Sequence, residues 1–138
     1  MIRAILLTIA LLGSSQQAMA EPLAQQGRLR VPEFVPCDPN LLTSWTGTVT
    51  RYQHQGQSLS LTLATDAETT ESVNLQGDAH HDLLAQLFLE GRPFSTDDWP
   101  KIESAPGALR EGMRLTAWVC ADAPTLLDWQ NGPGTQSE

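Results

Sequence analysis

From Leu42 to His54, apolar and polar positions alternate, with Trp45, Gly47 and Val49 facing one way and Thr46, Thr48, Thr50 and Tyr52 the other. This period of two predicts a β-strand. After the turn at Gln55-Gly56-Gln57, Leu59, Leu61 and Leu63 alternate with Ser58, Ser60 and Thr62, predicting a second strand that pairs with the first as a hairpin. Asp66-Ala67-Glu68-Thr69 connects it to a third strand over Thr70 to Gln76, whose apolar face is Val73 and Leu75. The rhythm then turns helical. Leu83, Leu84, Leu87 and Phe88 form one stripe, with Asp78 placed to cap the start and Gly91 placed as a left-handed C-terminal cap, predicting a helix over residues 79–90. Ser95-Thr96-Asp97-Asp98 offers N-caps for a short turn running to Ser104, with Asp98 favoured and Pro100 tolerable in the first turn. Met113, Leu115, Ala117 and Val119 alternate with Arg114, Thr116, Trp118 and Cys120 in a fourth strand, and a fifth is expected over Thr125 to Gln130.

The two ends lack such periodicity. Arg3, the apolar run Ala4 to Leu12 and Ala18-Met19-Ala20 follow the order of a secretory leader, so cleavage is expected near Ala20, before Glu21. The apolar run is too short to span a bilayer, and the leader ends without the cysteine that a lipid anchor requires. Residues 21–40 carry Pro22, Pro32, Pro36 and Pro39, which predicts an extended N-terminal arm. Residues 131–138 offer no apolar side chain to bury and are expected to form a tail. Between arm and tail, residues 41–130 make one domain.

Export changes the reading of the two cysteines. In an oxidising compartment Cys37 and Cys120 are expected to form a single intramolecular disulfide, periplasmic or secreted. The chain-entropy model assigns about 4–5 kcal/mol to a loop this long. Composition narrows the partners. The 138 residues carry 16 acidic against 8 basic side chains, a net charge of −8 that loss of the leader with Arg3 makes one unit more negative. The basic residues are scattered, which disfavours nucleic acid and anionic lipid. A 41% apolar fraction argues for a globular chain, and no apolar run is long enough for a membrane span.

The order strand, strand, strand, helix, strand, strand resembles the OB-fold. That resemblance implies a mainly β protein, a five-stranded Greek-key barrel with one helix between strands three and four. The chain also resembles small exported proteins of Gram-negative bacteria that share a Trp-x-Gly-x-Val opening, here Trp45 to Val49, and an Ala-Trp-Val-Cys strand, here Ala117 to Cys120. This second resemblance implies no activity. The first implies a ligand face on the outer side of strands two and three and their neighbours. By alternation its residues are Thr48, Thr50 and Tyr52, then Ser60 and Thr62, then Ser72 and Asn74. Hydroxyls there suit sugars or peptide backbone, and Tyr52 and Trp118 would add flat apolar contact. Trp118 is expected either to be exposed or to pack on the disulfide, because it alternates in phase with Cys120.

Other chemistry is thinner. Asp78, His81 and Asp82 share a helical face that could hold a divalent metal, but capping explains the carboxylates and no metal or cofactor is expected. Asp66, Glu68 and Glu71 form one acidic cluster, and Asp97, Asp98 and Glu103 a second, with turn and cap chemistry accounting for most of them. No serine sits in a nucleophile elbow. The expectation is a non-enzymatic binding module for an envelope or periplasmic protein, or a glycan, through the Thr-rich strand face. The alternatives are an acidic inhibitor of an exported hydrolase and a small enzyme using the acidic clusters.

Overall fold

A computed structural model of the chain describes residues 30–80 and 82–132. Residues 1–29, His81 and residues 133–138 lie outside that range, so the expected cleavage site, the first part of the arm, the histidine of the candidate metal face and most of the tail are not among the described residues. The body beginning at Val31 is one compact unit.

Strand β1 spans Leu42–Gln55, β2 Ser58–Thr65 and β3 Thr70–Gln76, close to the expected bounds. All three pair antiparallel in sequence order. Gly47 is required where β1 meets β2, since a Cβ there would lie 2.2 Å from the Ala64 carbonyl oxygen. The helix expected over residues 79–90 does not form. Leu83–Gln86 make one 3-10 turn, capped by Asp82, and Leu87–Leu89 continue as strand β4. A short apolar run serves either period. Here pairing decides, because β4 lies parallel to β9, Leu126–Trp129, and alternation then buries Leu87 and Leu89 in the core while Phe88 faces the opposite side. Gly91 is no helix cap either. With Glu90 it forms the two-residue loop between β4 and β5, Arg92–Pro93, both residues having positive φ, as a type I′ hairpin demands.

A 3-10 turn at Thr96–Asp98 leads into the single helical turn α1, Trp99–Ile102, with Pro100 in its first turn. Strands β6, Glu103–Ala105, and β7, Ala108–Leu109, follow as a small separate hairpin. Strand β8, Arg114–Cys120, then returns beside β1, and β9 beside β8. The larger sheet has the order β3-β2-β1-β8-β9-β4-β5, antiparallel except for β4–β9. The protein is thus mainly β, as expected, but with a seven-stranded mixed sheet that is not closed rather than a five-stranded barrel around a helix. The four strands β8-β1-β2-β3 stand in Greek-key order.

One side of the sheet holds the main core, including Leu59, Leu61, Leu63, Leu115, Leu127 and Trp129. A second cluster lies on the outer side of β8, β9 and β4, where the proline-rich arm runs across the sheet. Val35 and Cys37 pack there with Trp118, Cys120 and Leu126, and Phe34 stacks on Phe88 at 3.9 Å. The Cys37–Cys120 disulfide forms as expected, with Cα atoms 5.9 Å apart. No helix among the described residues is long and apolar enough to cross a membrane.

Candidate functional site

The expected ligand face is rearranged by one residue. Val49 pairs with Leu63 but Arg51 pairs with Thr62, so Thr50 is a β-bulge. Directly opposed residues of an antiparallel ladder share a face, and one inserted residue reverses the alternation beyond it. Tyr52 opposite Leu61 and His54 opposite Leu59 therefore turn to the core side, contrary to the simple alternation that put Tyr52 outside. Arg51 and Gln53 take the outer side opposite Thr62 and Ser60.

The structure brings Ser60 and Thr62 together with Arg51, Gln53 and Asn74 along an open trough of about 760 Å³. Thr50 is exposed on the bulge, its hydroxyl 3.4 Å from the Thr62 carbonyl. Thr48 is further along β1, where it accepts from Arg114, itself paired with Asp66. Trp118 is not on a free surface: it is 3% exposed beneath the arm, in the cluster that contains the disulfide. Of its two expected positions, the one beside Cys120 is the one it occupies. Arg92, Lys101, Arg110 and Arg114 are each tied to a carboxylate or carbonyl, whereas Arg51 has no such partner among the described residues.

On the inner side of the bulged half of β1, a second constellation forms that alternation did not reveal. The Tyr52 hydroxyl donates to Glu103 Oε2 at 2.5 Å, and His54 Nδ1 lies 3.0 Å from the same oxygen. The Gly107 amide donates to Glu103 Oε1 at 3.3 Å, and His54 Nε2 lies 3.2 Å from the Gly56 carbonyl. Trp99 opens α1, Glu103 follows its last residue, and both line the same pocket. Trp99 stacks on the His54 ring, centroids 4.2 Å apart and planes 15° from parallel, and Phe94 meets Trp99 edge-on. Glu103 is 6% exposed. Burial first, then the hydrogen bond to Glu103 and its negative charge, push the Tyr52 phenol far above its ordinary pKa, so Tyr52 stays protonated as a donor. Over this cluster opens a pocket of about 350 Å³ lined by His54, Trp99, Pro100, Glu103 and the turn Ser104 to Pro106.

The two acidic clusters are dispersed by the fold. Asp66 pairs with Arg114. Asp98 is buried and accepts two bonds from Arg92, one from Lys101 and two from Ser95, far from free for acid–base work. Asp78 and Asp82 accept from the backbone amides of His80 and Leu84. Among the described residues no group of three or more His, Cys, Asp or Glu is placed to hold a metal ion. The sequence signal that could have found the Tyr52–His54–Glu103 cluster is faint, because Glu103 lies about fifty residues from the other two and the bulge at Thr50 has no glycine to mark it. Comparison with protein-family models, curated proteins and solved structures found no match to this chain.

Proposed function

We propose that the protein is an exported, non-enzymatic binding module, built on an OB-like Greek-key half-barrel, that engages an envelope or periplasmic protein or a glycan through the outer face of β1, β2 and β3. The observation that carries this reading is the trough over Arg51, Gln53, Ser60, Thr62 and Asn74, where an arginine without a partner among the described residues stands among neutral donors and acceptors. Amides and hydroxyls both donate and accept, which suits sugar hydroxyls or an extended peptide. The arm supports the same division of labour. Its described residues pack on the outer side of β8 and β9 and the start of β1, away from the trough over Arg51, Ser60 and Thr62. The strand order and the disulfide support the scaffold and the compartment.

The test is binding to arrayed envelope glycans and peptides by the wild-type protein and by an Arg51→Glu/Gln53→Ala/Thr62→Ala variant. All three substitutions fall on the outer side of the sheet, so the variant should fold with an unchanged melting temperature. A ligand bound by wild type and lost by the variant supports the face. Equal binding by the two removes it.

A further inference from the structure

The pocket above Glu103 lies on the opposite side of β1 from the strand face. A buried carboxylate is stable when a cation or several strong donors offset its charge. Asp98 shows how this chain does so when the role is internal, with Arg92 and Lys101 both in contact. Glu103 has no lysine or arginine among its described partners. It holds Tyr52, the Gly107 amide and His54, and His54 brings a positive charge only when protonated. Unlike Asp98, it lines an open pocket.

We propose that this pocket receives the side chain of a lysine presented by a protein or peptide, its ammonium reaching Glu103 and its stem lying along Trp99, Pro100, Ala105 and Pro106. Three features select that chemistry. The walls are largely carbon, and a lysine stem buries well on such a surface while its head keeps a polar partner. Glu103 Oε2 already faces two groups and Oε1 only the longer Gly107 contact, so the open acceptor capacity is on one oxygen. That suits a compact ammonium better than a guanidinium fork, which needs both oxygens. Finally, a chain of net charge −8 draws basic partners and repels acidic ones.

The experiment titrates the disulfide-bonded protein, followed by ¹H–¹⁵N NMR, with acetyl-Gly-Lys-Gly-amide, with its norleucine analogue and with n-butylamine. The lysine peptide should shift the Trp99 indole signal and bind at least about tenfold tighter than the norleucine peptide. Glu103→Gln, which keeps the side chain's shape and removes its charge, should erase that preference. Because a change at a buried residue can disturb folding, Ala105→Trp provides an independent arm: it stands at an exposed position on the pocket wall and should block binding by bulk alone. Binding of n-butylamine as tight as that of the peptide would overturn the assignment to a chain-borne lysine. Equal binding of the lysine and norleucine peptides, a preference that survives in Glu103→Gln, binding unaffected by Ala105→Trp, or no shift at about 10 mM peptide would each overturn the site.

Discussion

Asp98 and Glu103 are both buried carboxylates, one on either side of a single helical turn, and their surroundings differ. Asp98 ties Arg92, Ser95 and Lys101 into one knot that holds the segment after β5 against the body. Its carboxyl is held well below the usual range by Arg92 first, then Lys101 and the Ser95 amide, against the opposing push of burial. Glu103 instead collects a phenol, an imidazole and an amide, and opens on a pocket. The lesson is that burial of an acid does not identify its role. What differs is whether a lysine or arginine of the chain already faces it.

Substitutions can break that comparison. The largest effect is expected from Asp98→Asn, which should cost about 2–3 kcal/mol in chemical denaturation, below the range for a fully buried pair because Arg92 and Lys101 are half exposed and can turn to water. A related test is acid. The Asp98 pKa is lower in the folded than in the unfolded chain, so its stabilisation is complete above about pH 4 and is lost as pH falls through that value towards the folded pKa. Melting temperatures taken from about pH 5 down to about pH 2 should therefore drop more steeply for wild type than for Asp98→Asn. Parallel curves would mean that the knot is not the acid-sensitive element.

Tyr52→Phe should cost about 1–2 kcal/mol, because it removes a donor from a carboxylate that stays buried. The smallest change is expected from Glu103→Gln, about 1 kcal/mol or less, since the charge goes while the shape remains. A loss as large as that of Asp98→Asn would place Glu103 among the structural carboxylates and erase the distinction between the two.

Much of the sheet was legible from the pattern of residues. Leu59, Leu61 and Leu63 announced β2, Val73 and Leu75 announced β3, and all five are buried as alternation requires. Leu83 to Phe88 misled because a short stretch in which Gln86 alone is polar satisfies a helical stripe and a buried strand alike, and only the partner β9 chose between them. The strand face was half legible. Ser60 and Thr62 stand on the trough as read, Arg51 and Gln53 take its outer side while the Tyr52 side chain turns to the core, and Trp118 is sealed under the arm.

The chain by itself determined the local alternation, the turns built on glycine and proline, and the pairing of its only two cysteines, because each depends on residues near in sequence or on a count that allows one answer. Only tertiary structure decided which side of β1 Tyr52, His54 and Arg51 occupy. The bulge belongs to the pairing of β1 with β2, and a single inserted residue exchanges the inner and outer faces. The same is true of the two carboxylates, whose partners are brought together by chain folding and whose burial, close in sequence, looks alike until those partners are known.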